Sequence, residues 1–330
     1  MYKNQVILIT GGTGSWGENL VKRLLHTPAK EIRVFSRNEF SQVKMHRSFL
    51  SANENRVKFI IGDVRDEDAV FEACKGVDIL FHLAALKHVP ICEDQPDEAL
   101  KTNVVGTENV IRAAIRHKVK KVIDVSTDKA CDPVNFYGMT KAIGEKLIIR
   151  ANDWSPHTRF ACIRGGNVFG TNGSVVPLFK DLLQRKQEIP LTSAEMTRFF
   201  LTVNEAIDLL IQAAQAAKGG EIFVMRMKSC RILDLIRVMG KHFGVHNPTI
   251  REIGIRPGEK IHEVLVSAYE SQSTYQYDEK YYVILSPHSS PAVRQQYSHL
   301  PACNFDTYSS DKYLMDDEEI NKLLKKGGLV

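Results

Sequence analysis

Two pairs of side chains in the middle of the chain carry the groups that acid–base chemistry needs. Tyr137 and Lys141 stand one helical turn apart, so on a helix they share a face. An ammonium beside a phenol favours the phenolate, and a phenolate can take the proton of a hydroxyl group. A Tyr-x-x-x-Lys spacing alone arises often by chance. Here it follows Ser126-Thr127-Asp128-Lys129, which sets a hydroxyl, a carboxylate and an amine in consecutive positions. An ordinary surface loop holds an Asp-Lys pair as readily, so the surrounding elements must decide.

Those elements begin at the N-terminal end. Gln5–Thr10 reads as a strand, and Gly11-Gly12-Thr13-Gly14-Ser15-Trp16-Gly17 follows it directly and opens a helical pattern. The first glycine of such a loop permits a tight turn. The second lets a pyrophosphate approach the backbone, and the third lets the helix pack closely on the sheet. Strand, loop and helix in this order predict a dinucleotide site with Gly11, Thr13, Gly14, Ser15, Trp16 and Gly17 around the phosphates. The second strand ends at Ser36-Arg37-Asn38, where an acid would favour NAD. Arg37 is a planar, permanent cation suited to a 2′-phosphate, which predicts NADP. Asp63-Val64 close the third strand and are expected at the adenine. Leu83-Ala84-Ala85 close the fourth and are expected along the cofactor.

Strand candidates Val6–Ile9, Ile32–Phe35, Val57–Ile61, Ile79–His82, Lys121–Val125 and Phe160–Ile163 alternate with helical patterns, among them Ala99–Arg116 and Tyr137–Arg150. Apolar strands separated by helices indicate βαβ units. The expected fold class is α/β: a doubly wound parallel sheet of Rossmann type with a smaller C-terminal substrate lobe. The division expected is 1–167 for the cofactor domain and 168–330 for the lobe, with a return to the sheet near 200–225. Ser267 to about Asp311 is polar and rich in Tyr and Ser, and reads as loop with short strands.

The bulk composition excludes several classes. With 43% hydrophobic and 25% charged residues the chain is neither disordered nor fibrous. A net charge of +5, spread along the chain, gives no nucleic-acid track and suits a small anionic ligand. No apolar run approaches the ~18 residues of a membrane span, and no leader pattern is visible, so a cytoplasmic protein without membrane contact is expected. Cys74, Cys92, Cys131, Cys162, Cys230 and Cys303 lie far apart without a C-x-x-C pair. That spacing fits neither zinc nor a disulfide framework; free thiols and no metal are expected.

Longer motifs go further: TGGTGSWG at 10–17, GDVRD at 62–66, ALKHVP at 85–90, TNVVGTENV at 102–110, STDKA at 126–130, GSVVPLF at 173–179, MTRFF at 196–200 and IGIRPGEKIHE at 253–263. With these the chain resembles the extended short-chain dehydrogenase/reductases. Within them it is most similar to the soluble UDP-N-acetylglucosamine 4,6-dehydratases that invert C5, the first enzymes of pseudaminic acid synthesis. The resemblance implies a UDP-sugar substrate, NADP and a homo-oligomer. It assigns Tyr137 and Thr127 to the C4 hydroxyl, Lys129 as base at C5 and Asp128 as acid at C6. It adds Lys87, Asn103 and Val168 to the cofactor contacts, Asn103 as support for Lys141. To the sugar nucleotide it assigns Lys87, Asn167, Val175, Thr192, Arg198, Arg256 and Glu259, with Pro177 behind the uracil and His88 nearby. Lys129 can serve as a base only if burial or neighbouring cations lower its pKa, which a closed sugar pocket could do.

The chain departs from that pattern in Arg164-Gly165-Gly166-Asn167, where the family usually has Arg-Tyr-Gly-Asn, and in Thr171-Asn172-Gly173, where it usually has Ser-Arg-Gly. Both bear on which sugar is bound and what becomes of it. A 5-epimerase, 4-epimerase or 4-ketoreductase for UDP-amino sugars is the alternative activity. A catalytically silent NADP-binding regulator is the alternative class.

Overall fold

The computed structural model describes residues 2–50, 55–170, 175–287 and 289–329. Its first half alternates β1 (Val6–Thr10), α1 (Ser15–Leu25), β2 (Glu31–Ser36), α2 (Glu39–Leu50), β3 (Val57–Ile61), α3 (Glu67–Ala73) and β4 (Ile79–His82). Next come α4 (Val89–Asp94), α5 (Pro96–Leu100), α6 (Gly106–Arg116), β5 (Lys121–Thr127), α7 (Phe136–Arg150) and β6 (Arg159–Gly165). All five residues of β1 are buried, as expected of a parallel strand covered on both faces. Local signals set the helix starts. Asp66 accepts from the Ala69 N–H ahead of α3, and Asn135 accepts from the Gly138 N–H ahead of α7.

The second half contains β7 (Asn167–Val168), α8 (Val175–Gln184), β8 (Ile189–Leu191), β9 (Thr197–Leu201), α9 (Val203–Ala216), β10 (Glu221–Met225), β11 (Ser229–Arg231) and α10 (Ile232–His242). It closes with β12 (Ile250–Glu252), β13 (Val264–Val266), α11 (Ala268–Ser271), β14 (Thr274–Gln276), β15 (Tyr281–Leu285), α12 (Pro291–Tyr297), β16 (Tyr308–Ser309) and α13 (Asp317–Lys326).

The main sheet runs β14-β15-β10-β6-β5-β4-β1-β2-β3. From β10 to β3 every pairing is parallel. Strand order reverses between β1 and β4, which opens a crevice at the carboxyl ends of the strands. This is the Rossmann arrangement, and it places the glycine loop and the end of β5 on one edge of one crevice. Two antiparallel strands, β15 and β14, extend the sheet beyond β10. Their tyrosines read as polar in the sequence, yet all of Tyr281–Leu285 is buried, because a tyrosine ring buries as well as a phenylalanine when its hydroxyl has an outlet.

A second apolar core lies under the crevice, where Phe179 and Leu183 of α8, Leu235 and Met239 of α10, and Ile320 and Leu324 of α13 pack together. Arg164 at the end of β6 ties the two parts of the chain. It is fully buried, donates to Glu145 of α7 at 2.6 and 3.0 Å, and reaches Glu270 of α11 at 2.9 Å and the Leu265 carbonyl at 2.8 Å. Burial works against the Glu270 carboxylate, but Arg164 overrides it and holds the group down to about 2. The continuous helix expected over Ala99–Arg116 is broken by a π-helical turn at Lys101–Val105. The wider turn lets Asn103 exchange hydrogen bonds with the Leu86 main chain, 2.8 Å from its N–H and 2.9 Å to its carbonyl. Among the described residues, no helix is long and apolar enough to cross a membrane.

Candidate active site

A cavity of about 980 Å³ occupies the crevice. One end is the glycine loop. Gly11 has φ +64°, and a Cβ there would lie 2.8 Å from the Ala84 nitrogen; at Gly17 it would lie 2.4 Å from the Gly12 oxygen. Backbone packing therefore excludes any larger residue at both positions. Gly14 gives α1 no side-chain cap, so the first N–H groups of that helix remain for an anion. Arg37 stands half-exposed on the wall, 3.6 Å from Asp63, which Arg65 holds at 2.8 Å. Asn38 accepts from the Ser41 N–H ahead of α2, and Gln42 donates to Ser36. These residues fit a dinucleotide: a cradle that a Cβ would fill, an uncapped helix start, and a cation at the ribose end.

Near the other end, α7 begins one residue before Tyr137. Its cap on Asn135 fixes the first turn, and Lys141 follows one turn later. The Lys141 ammonium lies 3.2 and 3.4 Å from the two oxygens of Asp124 on β5, and both side chains are essentially inaccessible. Burial presses that ammonium toward the neutral form, but Asp124 and Tyr137 more than offset it and its pKa is raised. Burial also raises the Tyr137 phenol, against the opposing pull of Lys141, Lys129 and the Thr127 hydroxyl. The Tyr137 hydroxyl therefore keeps its proton at neutral pH in this setting. Below the pair, His82 bridges the Thr10 and Thr107 hydroxyls at 2.7 and 3.1 Å, and burial lowers its pKa to about 4, so it stays neutral.

A tight turn after β5 brings Asp128 and Lys129 to the same end. The Lys129 Nζ lies 3.0 Å from Asp128 Oδ1, 3.3 Å from Glu263 Oε1 and 3.5 Å from Asn167 Oδ1. Arg198 Nε lies 3.6 Å from the same Glu263 oxygen. Burial disfavours the Lys129 charge, yet Asp128 and Glu263 outweigh it and the pKa rises. Burial by itself would depress this lysine, and its two carboxylate neighbours do the opposite. Lys129 is an ammonium in the ligand-free protein, because two buried carboxylates gain more from the charge than burial removes.

A cradle for a dinucleotide joined to a Tyr-Lys pair and an acid–base cluster fits few protein families. The sequence pattern of the polysaccharide biosynthesis protein family matches residues 7–285. The chain belongs to that family. A UDP-N-acetylglucosamine 4,6-dehydratase (inverting) of Campylobacter jejuni is 41% identical over 298 residues, covering 89% of this chain and 85% of the relative. A UDP-glucose 4-epimerase of Rickettsia typhi is 43% identical over 274 residues, covering 81% and 79%. A protein of Methanocaldococcus jannaschii named as an uncharacterized membrane protein is 40% identical over 334 residues, covering 98% and 96%. Among solved structures, Pen from Bacillus thuringiensis superimposes with a TM-score of 0.90 at 38% identity, covering 98% of this chain and 99% of that one. The chain thus stands among the nucleotide-sugar dehydratases and epimerases.

In this polysaccharide biosynthesis protein most residues singled out in the sequence meet on the cavity wall. Thr13, Ser15, Trp16, Val64, Leu83, Ala85, Lys87, His88, Val168, Val175 and Thr192 are among them. Glu259 is held by the Thr192 hydroxyl at 3.3 Å and by the Arg256 N–H at 3.4 Å, while the Arg256 side chain is exposed at the rim. Arg198 reaches the wall, but its guanidinium also donates to the Thr197, Ile261 and Lys260 carbonyls at 2.7, 3.0 and 2.8 Å. Three residues stand behind the wall: Asp128, Lys141 and Asn103. Among the described residues Asn103 makes no direct hydrogen bond to Lys141; it bonds Leu86 and, at 3.0 Å, Thr140. Pro177 is exposed on α8, away from the buried face of Val176 and Phe179, and is not among the residues lining the cavity. Thr171–Gly173 and Ser174 lie outside the described residues.

Asp124 and Glu263 are the site residues that sequence reasoning missed. A carboxylate inside the otherwise apolar strand KVIDVST is a visible anomaly, and Glu263 closes the IGIRPGEKIHE run. Neither signal names a partner.

Proposed function

We propose that this protein is an NADP-dependent UDP-N-acetylglucosamine 4,6-dehydratase that inverts C5. The observation that carries the reading is the Asp128–Lys129 contact at 3.0 Å beside Tyr137, since a 4,6-dehydratase needs an acid and a base beyond the oxidising pair. The 41% identity to the Campylobacter jejuni enzyme of that name supports it. A bound nicotinamide would accept hydride from C4 and later return it to C6. Tyr137 takes the C4 hydroxyl proton, with Thr127 alongside. One proton passing from the Lys129 ammonium to the Asp128 carboxylate creates both the amine that removes the C5 proton and the acid that protonates the departing C6 hydroxyl. Reprotonation of C5 on the opposite face by a proton from solvent, with release of the one Tyr137 took, gives the UDP-4-keto-6-deoxy-L-arabino product. Arg256 is assigned to the diphosphate by charge-assisted hydrogen bonds. We assign residues 1–167 to the cofactor domain and 168–330 mainly to the substrate lobe, and infer a cytoplasmic homo-oligomer.

The test is purified protein with UDP-N-acetylglucosamine in D₂O without added reductant, followed by mass spectrometry and NMR. Loss of one water with deuterium at C5 is expected, and the ring couplings report inversion. An unchanged mass with a new C4 configuration establishes instead the 4-epimerase reading, which the Rickettsia typhi relative favours.

NADP rests on Arg37. Its contacts to a 2′-phosphate contribute about 1.5–3 kcal/mol. Arg37→Ala is therefore expected to weaken NADP by about 10–100-fold and NAD by less than about 2-fold. Titration calorimetry with both cofactors checks this; equal loss for both removes the assignment.

A further inference from the structure

Glu263 is the one carboxylate of the Lys129 cluster to which no role has yet been given. It sits just ahead of β13, far along the chain from Lys129, and its side chain is 3% exposed. Its position is set from the main chain: its N–H donates to Ser310 Oγ at 2.9 Å, and Ser310 Oγ lies 2.6 Å from Thr197 Oγ1. On one side Oε1 meets Lys129, on the other Arg198. Oε2, like Asp128 Oδ2, is buried and finds no hydrogen-bond partner among the described residues. A carboxylate so placed stands between two cations, and it is costly to bury unless its charge is used.

We propose that Glu263 is the positioning residue of Lys129: its carboxylate fixes the amine at the sugar end of the cavity and stabilises the positive charge that returns there when the C5 proton is taken. The inference rests on the dehydratase reading and deepens it. After the proton has moved from Lys129 to Asp128, the Asp128 side chain is neutral, and Glu263 is the anion left beside the amine. When the amine takes the C5 proton, the C5–H electron pair enters the C4 carbonyl as an enolate. That pair then expels the C6 oxygen, which leaves as water with the Asp128 proton. The charges finish as they began, with an ammonium between two carboxylates. Without Glu263, a buried amine beside a neutral acid is a weak base, because burial alone favours the uncharged form.

The test is trace acetylation of the full-length protein with acetic anhydride from pH 6 to pH 10, read by peptide mass spectrometry with exposed Lys325 as internal reference. Only the free amine reacts, and one unit of pKa is tenfold in its fraction. In the wild type, Lys129 is expected to react less than Lys325 at every pH, and Asp128→Asn, which removes the nearer carboxylate, is expected to raise its labelling, with Glu263→Gln raising it further when added to that variant. Glu263→Gln is expected to raise Lys129 labelling about tenfold or more near neutral pH. Unchanged labelling in a folded Glu263→Gln overturns the proposal. If that variant does not fold, a wild-type Lys129 that acetylates as readily as Lys325 overturns it equally.

Kinetics supply the second readout. Glu263→Gln is expected to slow C5 deuterium incorporation about 10–100-fold with KM for UDP-N-acetylglucosamine nearly unchanged, and to move the descending limb of its pH profile to lower pH, because the Lys129–Asp128 pair then loses its shared proton sooner. A rise in KM with an unmoved pH profile is the mark of a merely structural role. A wild type that neither dehydrates UDP-N-acetylglucosamine nor exchanges C5 removes the dehydratase reading, while the labelling still decides whether Glu263 sets Lys129.

Discussion

Lys129→Ala is expected to abolish loss of water from the substrate, lowering turnover by about 10²–10⁴-fold, while NADP and UDP-N-acetylglucosamine still bind. A thousandfold loss corresponds to about 4 kcal/mol on the barrier. The size follows from a double role, because the proton of Lys129 also makes Asp128 an acid. Removing the amine leaves the buried Asp128 carboxyl without its 3.0 Å cation and the C5 proton without a base. The substrate would then be oxidised at C4 and stall. Product analysis by mass spectrometry together with calorimetric binding checks this. Full turnover in the variant removes Lys129 from the mechanism, and lost binding reassigns it to holding the sugar nucleotide.

Tyr137→Phe is expected to fail one step earlier, with a loss of similar or greater size. The ring keeps its volume in the wall and the Lys141–Asp124 pair keeps its contacts, so the fold and both ligand affinities should change little. Without the phenol no group takes the C4 hydroxyl proton, and neither dehydration nor C5 exchange follows. The wild-type pH profile carries the matching sign. The Tyr137 pKa is raised, chiefly by burial, so the base form is lost as pH falls, and activity should decline toward acid. C5 exchange that survives in Tyr137→Phe would falsify the assignment. Biological activity that survives with no turnover at all would favour the silent regulator.

Much of this site is legible in the sequence, because its parts are local. A glycine loop between a strand and a helix is one continuous segment, and its backbone requirements are written in residue types. Tyr137 and Lys141 share a helix face by spacing alone, and β5 delivers Thr127, Asp128 and Lys129 to the same edge because parallel strands all end there. The polysaccharide biosynthesis family pattern spans these segments and runs on to residue 285.

What the tertiary structure decided are the contacts between segments and the balance of charge they create. Asp124 reads as an oddity in a strand until Lys141 is found against it, and Glu263 reads as the end of a loop until it meets Lys129. Asn103 lies in a helical pattern, and only the π-helical turn turns it toward Leu86 rather than Lys141. The protonation of Lys129 is the clearest case. A residue type states which charges are available, but whether a buried amine keeps its proton depends on the difference between a desolvation cost and the pull of neighbours a few ångströms away. Two carboxylates tip that difference, and one of them, Glu263, arrives from a distant part of the chain.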